Sequence, residues 1–285
     1  MYNNIKKILF IGDDAKMISF RCKDYMYSYH LLDPPKFKMH LHHYYEFLYI
    51  QKGDASYLVE GNTYEAEDGD IFITRPEELH TIIFNSPKKY ERQFIQISPD
   101  FLSDIGIDLL YFINHRALGE YNRIKSDLVQ KYELHYYFDK VRHYIVNRVP
   151  ESDIMIKTYI IQFLVNLNSI FKEFSDDLQI YKKTNPRVDM IIKYINDNIS
   201  KPIQLDELAE HFFINKYYMC HIFKEETGLT IKEFINTRRI AKAKKLLSEG
   251  YNITEICFKS GFNDYSNFYK TFKRYTGKMP KEFFK

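Results

Sequence analysis

The 285-residue chain lacks several features that would assign it to a common class at sight. It has no tryptophan and only three cysteines, Cys22, Cys220 and Cys257, which form no C-x-x-C pair. This odd, scattered set predicts no disulfide framework and fits a reducing cytoplasm. The N-terminus lacks a signal peptide, because the apolar run at 8–11 is short and meets two aspartates. No apolar run approaches ~18 residues, so we expect no membrane span.

Net charge is also small, at +3, but the two parts of the chain differ. Residues 186–285 contain 18 Lys and Arg against 12 Asp and Glu, a net of +6. Residues 1–185 contain the remaining 23 basic and 26 acidic residues, a net of −3. A basic C-terminal block beside a mildly acidic N-terminal one indicates nucleic-acid binding at one end. The length suits about two domains, each able to bury its own core.

One segment near the C-terminus occurs twice. The pattern F-K-x-x-T-G-x-x-x-K-E-F starts at Phe223 and again at Phe272, so seven identities fall at a constant offset of 49 residues. Repetition of this kind is typical of a duplicated structural unit. An N-cap residue, Asn215 or Asp264, precedes each copy, and a short helix-like segment and a tight turn precede that. Each copy therefore predicts a helix-turn-helix, whose second helix can enter a DNA major groove.

The second helix of each motif has an apolar face and a polar face. Apolar side chains at i, i+3 and i+4 predict the core side. The polar sides carry the cations, hydroxyls and ring donors that bind phosphates and base edges. They consist of Lys216, Tyr217, Cys220, His221 and Lys224 in the first motif, and Tyr265, Ser266, Tyr269, Lys270 and Lys273 in the second. We expect these ten residues to bind DNA; two solvated faces of a helical domain are the alternative.

Between the two motifs, residues 231–249 predict one long helix that starts at a capping box formed by Thr230 and Glu233. About 19 residues at ~1.5 Å each make a rod of roughly 28 Å. Such a rod can hold two reading helices near one DNA turn apart, about 34 Å.

These features resemble a known family. Residues 187–285 are similar to the DNA-binding domain of AraC-type transcription regulators, which join two helix-turn-helix motifs by a long helix. The segment from Gly261 to Pro280 resembles that family's signature most closely. The resemblance implies a regulator that binds a double-stranded DNA operator as a homodimer and is not an enzyme. RNA polymerase is a further candidate partner.

Residues 37–97 have the composition of a β domain. Turn residues separate six short β-favouring runs, which start at Phe47, Ala55, Asn62, Asp70, His80 and Arg92. Short strands at such regular spacing predict an antiparallel barrel or sandwich. Two further strands are expected at 5–11 and 18–22.

Polar residues within this block resemble the two motifs of the cupin barrels. An H-x-H-x-x-x-E sequence at 40–46 matches the first motif, and residues 69–80 resemble the second. On a strand the first two histidines project to one face. In cupin enzymes these residues bind a metal, and imidazoles with a carboxylate suit Fe, Mn, Zn or Ni. In AraC-type sensor domains they form pocket walls or barrel hydrogen bonds instead. That resemblance implies effector binding by His40, His42, Glu46, Arg75 and His80, with no metal and no cofactor.

Residues 100–174 change to helical periodicity. We expect a helix over 101–113 that covers the barrel, helices over 124–137 and 138–149, and a long helix over 154–174. In the related regulators the helices after the barrel pair across a dimer; packing within one chain is the alternative. A polar stretch ending at Pro186 predicts a linker.

The sequence thus predicts an α+β protein. A cupin-like antiparallel barrel (about 20–100) with trailing helices (101–175) makes an effector-sensing and dimerisation domain over 1–175. A linker over 176–186 leads to an all-α double helix-turn-helix domain over 187–285. We interpret the chain as a cytoplasmic transcription regulator controlled by a small molecule, with a sugar as the leading effector by resemblance. A cupin metalloenzyme with a DNA-binding appendage and an effector-independent regulator remain as alternatives.

Overall fold

A computed structural model describes residues 5–11, 15–33, 37, 39–76, 78–174, 182–183 and 185–282. The chain divides into two units, Met1–Lys182 and Lys183–Lys285, called the N-terminal and C-terminal units below. Most of the expected linker and the last phenylalanine of the repeat, Phe283, lie outside the described residues.

The described part of the N-terminal unit contains two antiparallel sheets. The strands are β1 (Ile5–Ile11), β2 (Ala15–Arg21), β3 (Tyr25–Leu32), β4 (Tyr45–Lys52), β5 (Ala55–Val59), β6 (Asn62–Ala66), β7 (Ile71–Thr74), β8 (His80–Phe84), β9 (Tyr90–Ile97) and β10 (Arg123–Ile124), and β11 (Lys182–Lys183) lies at the boundary of the units. The larger sheet has the order β1-β2-β3-β9-β4-β7-β10, and the smaller contains β6-β5-β8. The strand expected at 5–11 is confirmed as β1, the strand expected at 18–22 is observed as β2, and both extend the larger sheet.

Alternation along the strands buries both faces of the larger sheet. In β4, Phe47 packs against the helices, with its ring 5.1 Å from that of Phe163. The next residue, Leu48, belongs to the core between the two sheets, where Tyr57 of β5 lies 4.6 Å from Phe72 of β7. Because the side-chain period of a strand is two, Glu46 faces the same space between the sheets as Leu48.

Strand β3 has no counterpart among the expected strands. Its alternate residues Tyr25, Tyr27 and Tyr29 are buried, and the hydroxyl of Tyr27 donates to the side-chain oxygen of Gln93 at 2.8 Å. The strand pairs with β2 on one side and β9 on the other, so it is interior to the sheet.

The helices of this unit differ in part from those expected. They are α1 (Tyr111–His115), α2 (Ser126–Lys131), α3 (Leu134–Val146) and α4 (Ser152–Phe174). The expected helix over 101–113 is wrong, since that segment contains the end of a 3-10 turn, Pro99–Leu102, and the start of α1. The break expected between 137 and 138 lies instead before α3, because Glu133 adopts a left-handed backbone with φ 51°.

The expectation that no apolar run approaches ~18 residues is wrong for helix α4. Its segment Ser152–Glu173 is long and apolar enough to cross a membrane by length and composition. This is weak evidence, because the core helix of a soluble protein passes the same test. Buried residues such as Ile160, Phe163 and Leu167 place one side of α4 in the core that it shares with α3.

The C-terminal unit is helical throughout its described residues apart from turns. Its helices are α5 (Pro186–Asp197), α6 (Leu205–His211), α7 (Lys216–Thr227), α8 (Ile231–Ser248), α9 (Ile253–Lys259) and α10 (Tyr265–Thr276), followed by a 3-10 turn, Pro280–Glu282. The expected caps are confirmed: Asn215 and Asp264 each accept two backbone N–H bonds at the starts of α7 and α10. Thr230 and Glu233 form the expected capping box of α8.

Most of the repeated identities stabilise helix ends. Phe223 is fully buried, Thr227 donates to its carbonyl oxygen at 2.6 Å, and Gly228 ends α7 with φ 71°. The counterparts 49 positions later do the same at the end of α10, with φ 76° at the glycine. Lys224 and Lys273, which belong to the same part of the repeat, have exposed side chains.

The turns of the two helix-turn-helix motifs differ in length. After α6, Phe213 adopts a left-handed backbone (φ 53°) two residues before the cap Asn215. After α9, Gly261 has φ 93° three residues before the cap Asp264. The second turn therefore contains one more residue than the first.

Candidate effector site and nucleic-acid interface

Glu46 lies at the centre of a polar cluster between the two sheets. Its Oε2 is 3.2 Å from Nε2 of His42 and accepts a 2.6 Å hydrogen bond from the side-chain amide of Gln96. Its Oε1 is 3.8 Å from Nε2 of His80. The pairing of β4 with β9 sets Glu46 opposite Gln96 in register. The fold thus brings together three of the five residues proposed from the sequence.

His40 joins this cluster through its backbone. Its N–H donates to the carbonyl of His80 at 3.0 Å and its carbonyl accepts the N–H of His80 at 2.9 Å. The expectation that His40 and His42 share a strand is wrong, since His40 forms an isolated bridge and residues 41–44 lie outside the strands. The rings still converge, with centroids 4.6 Å and 4.9 Å from that of His80.

Backbone carbonyls fix the orientation of two imidazole rings. Nδ1 of His42 lies 3.0 Å from the carbonyl oxygen of Tyr44, and Nδ1 of His80 lies 2.8 Å from that of Glu78. Because a carbonyl can only accept, Nδ1 of His80 carries a proton and donates it, whereas His42 has an acceptor at each of its ring nitrogens. Nε2 of both rings therefore faces Glu46, and that of His80 is buried with no hydrogen-bond partner among the described residues.

The electrostatics of the cluster favour an ionised carboxylate beside a neutral imidazole. Burial opposes ionisation of Glu46, but its hydrogen bond to His42 and the nearby imidazoles hold the pKa of that carboxyl well below its usual range. Burial, reinforced by His42, lowers the pKa of His80 to about 3. A carboxylate and a free imidazole nitrogen both accept protons, so the cluster suits a ligand rich in hydrogen-bond donors.

A cavity of about 140 Å³ opens beside this cluster. It is lined by His40, Glu46 and His80 and by aromatic and polar residues that the sequence did not single out: Phe37, Tyr57, Arg92, Phe94 and Gln96. No local pattern marks the residues from β9, because they reach the cavity through the pairing of β9 with β4. Tyr57 has the sequence environment of an ordinary core tyrosine.

Arg75 lies apart from this cavity. Its Nη1 donates to the carbonyl oxygens of Ile113 and Asn114, at 3.2 Å for the first, so its guanidinium holds the end of α1. It is not among the residues that line the cavity. The pocket prediction for Arg75 therefore has no support from its position.

Arg116, in contrast, stabilises the segment next to the polar cluster. Nη1 and Nη2 of Arg116 donate to the two carboxylate oxygens of Glu78 at 2.5 Å and 2.7 Å, and both side chains are fully buried. Glu78 also accepts the backbone N–H of Gly119 at 3.0 Å. Because the carbonyl of Glu78 accepts the Nδ1 proton of His80, this ion pair holds the loop that orients His80.

Three histidines of the cluster are of a residue type that binds metal ions. The ring nitrogens of His40, His42 and His80 that could ligate an ion lie within 4.8 Å of one another, and imidazoles with a carboxylate suit first-row transition metals. Two nitrogens bonded to one ion at ~2.0–2.1 Å each are at most ~4.2 Å apart. That is less than the 4.8 Å within which these three nitrogens lie. The residue types fit a metal, and the rings would have to move inward to hold it.

The expected DNA-contacting residues of the first motif lie on the outer side of α7. Met219, Ile222 and Phe223 are buried, which confirms the expected core face. Tyr217 is 83% exposed, His221 and Lys224 are exposed, and Cys220 and Lys216 are half-buried. Lys216 forms an ion pair of 2.9 Å with Asp206 of α6. Such a surface pair is worth only ~0–1 kcal/mol, so a phosphate can replace it.

The second motif repeats this arrangement on α10. Phe268, Thr271 and Phe272 are buried, which again confirms the expected core face. The outward side chains are Tyr265, Ser266, Lys270 and Lys273, all exposed, and Tyr269, half-buried. The hydroxyl of Tyr265 donates to that of Tyr269 at 3.1 Å, so the two rings form one polar edge. Helices α7 and α10 thus each present hydroxyls and cations next to a capped N-terminus.

Comparisons with known proteins agree with this division into two sites. A model of the AraC-like ligand binding domain matches residues 30–137, and a model of a helix-turn-helix domain matches residues 208–285. The uncharacterized HTH-type transcriptional regulator YbfI of Bacillus subtilis is 24% identical over 234 residues, which is 81% of each chain. YfiF of the same species is 24% identical over 79% of this chain and 72% of its own.

Among solved structures, a protein of unknown function from Listeria innocua is 32% identical over 34% of this chain and 94% of its own, with a TM-score of 0.33. The two family matches fall on the two sites described above, one around the polar cavity and one on the capped helices. The chain belongs to the AraC-type transcription regulators, with an AraC-like ligand binding domain followed by a helix-turn-helix domain.

Proposed function

We propose that the chain is a cytoplasmic, sequence-specific transcription regulator controlled by a small effector, a monosaccharide, and that it is not an enzyme. Residues 1–175 sense the effector and dimerise, 176–186 link the domains, and 187–285 bind DNA. The observation that carries this proposal is a polar cavity in one unit combined with two capped, cation-bearing helices in the other. The effector acts by binding two states of the protein with different affinities.

The chemistry of the cavity favours a sugar. Its about 140 Å³ is below the ~300–1,000 Å³ of pockets for drug-sized ligands, which suits a small molecule. Glu46 and His80 accept hydrogen bonds, whereas Arg92 and Gln96 donate them, so a ring of hydroxyls finds partners of both kinds. The faces of Phe37 and Phe94 supply apolar contact for the C–H side of a sugar ring.

The effector prediction concerns Glu46. We expect a monosaccharide in a thermal-shift screen to raise the melting temperature of the parent protein by mass action. Glu46→Gln should remove this shift, because a hydrogen bond to a charged acceptor contributes ~1.5–3 kcal/mol. Glu151→Gln makes the same change at an exposed position and should leave the shift intact. A sugar shift of unchanged size in Glu46→Gln would place the effector elsewhere.

The same protein sample separates the alternatives. A cupin metalloenzyme requires metal at about one ion per chain, held by the histidines and Glu46, which elemental analysis of the purified protein measures. An effector-independent regulator shows neither metal nor a shift with any sugar. Stoichiometric metal that is lost in His80→Ala would favour the enzyme over the regulator proposed here.

The DNA prediction separates base reading from backbone anchoring. We propose that Tyr217, Cys220 and His221 on α7 and Ser266, Tyr269 and Lys270 on α10 reach base edges. Lys224, Lys273 and Lys278 lie in the last turns or beyond, where phosphate contact is favoured. Lys270→Ala should cost ~1–3 kcal/mol at one operator position, and Lys224→Ala should weaken all sequences alike and lower the salt slope by about one.

Selected duplexes and their single-base variants, titrated at two salt concentrations, measure this difference. The two lysines serve as controls for each other, since both are exposed in equivalent motifs. A uniform, salt-dependent loss in Lys270→Ala would mean that α10 anchors the protein without reading sequence.

The dimer prediction concerns the outer face of α4. Ile154, Thr158, Ile161, Val165 and Asn168 follow each other at steps of 4, 3, 4 and 3 residues, which is the spacing of a coiled-coil seam. Ile154 is 69% and Val165 46% exposed. We propose that this face packs against α4 of a second copy. Light scattering should give a dimer for the parent and for Ile107→Lys, an exposed control, but a monomer for the double variant Ile154→Lys, Val165→Lys.

A further inference from the structure

Arg239, in the middle of α8, contacts the loop before the first helix-turn-helix motif and the turn of the second. Its Nε donates to the carbonyl oxygen of Ile199 at 3.2 Å, and its Nη2 donates to that of Lys201 at 2.8 Å. Both carbonyls belong to the loop that leads into α6. On its other side the guanidinium lies 5.7 Å from the ring centroid of Phe262, in the turn between α9 and α10. One side chain thus connects the loop before the first motif with the turn of the second.

The same loop and turn also touch each other directly. A Cβ added to Gly261 would overlap the carbonyl oxygen of Ile199 and lie 2.9 Å from Nε of Arg239 and 3.1 Å from Cα of Ser200. The φ of +93° at Gly261 is a second reason for glycine at this position. Nζ of Lys242, one turn along α8, bonds to Oγ of Ser200. The backbone of the loop before α6 therefore meets the turn of the second motif with no side chain between them.

The covalent connections by themselves would allow α7 and α10 to pivot, so their relative position depends on packing, which includes the contacts of α8 with α7 and with α10. Residues 228–230 join α7 to α8, and residues 249–252 join α8 to α9. Each connection contains a glycine with positive φ, Gly228 at +71° and Gly250 at +83°, and a Cβ at either would meet nothing within 4 Å. Open glycine turns of this kind restrain a helix weakly. The contact between the loop before α6 and the turn before α10 does not depend on either glycine turn.

We infer that Arg239 fixes the distance and angle between α7 and α10, and so determines which operator spacing the chain accepts. It is a positioning residue, since its guanidinium is directed at backbone carbonyls and not at the outer face of either reading helix. Lysine cannot replace it, because one ammonium lacks the rigid fork that holds two carbonyls at once. The operator spacing rests on the DNA reading proposed above, whereas the distance between the helices does not.

The distance is measured without DNA. The full chain with Cys22→Ser and Ser266→Cys carries one spin label at Cys220 on α7 and another at position 266 on α10, while Cys257 is buried. The variant also carries Ile154→Lys and Val165→Lys, so that no distance between two copies contributes. Double electron–electron resonance should give a single narrow distance peak for this background. Arg239→Ala and Arg239→Lys should lose that peak in favour of a broad distribution. Arg274→Ala, an exposed arginine that lies over Tyr275, should keep it.

Far-UV circular dichroism on the same samples establishes that the helices are retained. Should Arg239→Ala fail to fold, Arg239→Lys, which keeps the charge and the stem, decides the matter. Narrow, unshifted peaks in the folded Arg239 variants would overturn the inference.

A second measurement tests the consequence for DNA. Duplexes selected from a random library by the parent chain are lengthened by one base pair between the two half-sites, which rotates one half by about 34° relative to the other. The parent should lose affinity, and the ratio of the two affinities should move towards one in Arg239→Lys. A parent-like ratio in that variant contradicts the assignment. Failure to select any duplex would count against the proposed function and leave the distance result standing.

Discussion

Replacing Arg116 with methionine lowers the free energy of unfolding of the N-terminal unit by about 3–5 kcal/mol. Methionine keeps much of the apolar stem but leaves the Glu78 carboxylate buried without its cation. The remaining donors to that carboxylate, which include the N–H of Gly119 and the side-chain amide of Asn122, are neutral. Because Glu78 also orients His80, we expect the variant to lose effector binding at temperatures where it is still folded.

The loss has a characteristic pH dependence. In the parent, burial opposes ionisation of Glu78 but Arg116 outweighs it, so the pKa of that carboxyl lies below its usual range. A lowered pKa contributes stability above ~pH 4.3 that is lost as pH falls further. Without Arg116, burial is opposed only by neutral donors such as the N–H of Gly119, and we expect the pKa of Glu78 to rise. The variant should therefore lose stability as pH rises through ~4.3, opposite in sign to the parent.

Scanning calorimetry of the full chain between about pH 3 and pH 8 measures both effects. Near-UV circular dichroism of the tyrosines serves as a second probe, because the chain has no tryptophan. Arg142→Met, an arginine paired with Asp139 near the surface, is the matched control and should change little. Equal stability of Arg116→Met and the parent at pH 7 would show that the buried ion pair is not needed.

The second large effect is expected from Gly261→Ala in the C-terminal unit. The new methyl group would overlap the carbonyl of Ile199, a backbone atom that cannot move aside like a flexible side chain. The left-handed backbone adds ~1–2 kcal/mol for a residue with a Cβ, and overpacking adds ~1–3 kcal/mol. We therefore expect the unfolding free energy to fall by roughly 3 kcal/mol. The contact between the turn before α10 and the loop before α6 should also be lost.

The corresponding position of the first motif provides a control with the opposite sign. Phe213 ends α6 with φ 53° and is 95% exposed, so its ring gains little from packing. Phe213→Gly should raise the unfolding free energy by about 0.5–1 kcal/mol, since relief of the strained backbone exceeds the entropy that glycine adds to the unfolded chain. Urea titrations measure the unfolding free energy of both variants. If it falls in both, or rises in both, backbone conformation does not determine the stability of these turns.

Local sequence patterns predicted the C-terminal unit well because its signals are local. N-caps, a capping box and apolar residues at helical spacing are read within a few positions of one another, and Asn215, Thr230 and Asp264 all cap the expected helices. The repeat was informative for a reason that only the packing reveals. Residues such as Thr227 recur because they end helices, whereas the outward residues of α7 and α10, apart from Lys224 and Lys273, differ between the copies.

The N-terminal unit was predicted less completely, because its key contacts are distant in sequence. Gln96 reaches Glu46 across two paired strands, 50 positions apart, and Arg116 reaches Glu78 across 38. No periodicity encodes such pairs. Strand β3 is different, since its alternating buried tyrosines at 25, 27 and 29 are a period-two signal that was available in the sequence.

The extra residue in the turn before α10 means that the two motifs, although duplicated in sequence, are not structurally interchangeable. A chain that reads DNA with two unequal motifs in series has a front and a back. Under the DNA reading proposed above, the site of one chain carries a direction, unlike the palindromic sites that match a two-fold symmetric dimer of single motifs. Inverting such a site exchanges which motif lies nearer a promoter, so the orientation of the site becomes regulatory information in addition to its sequence and position.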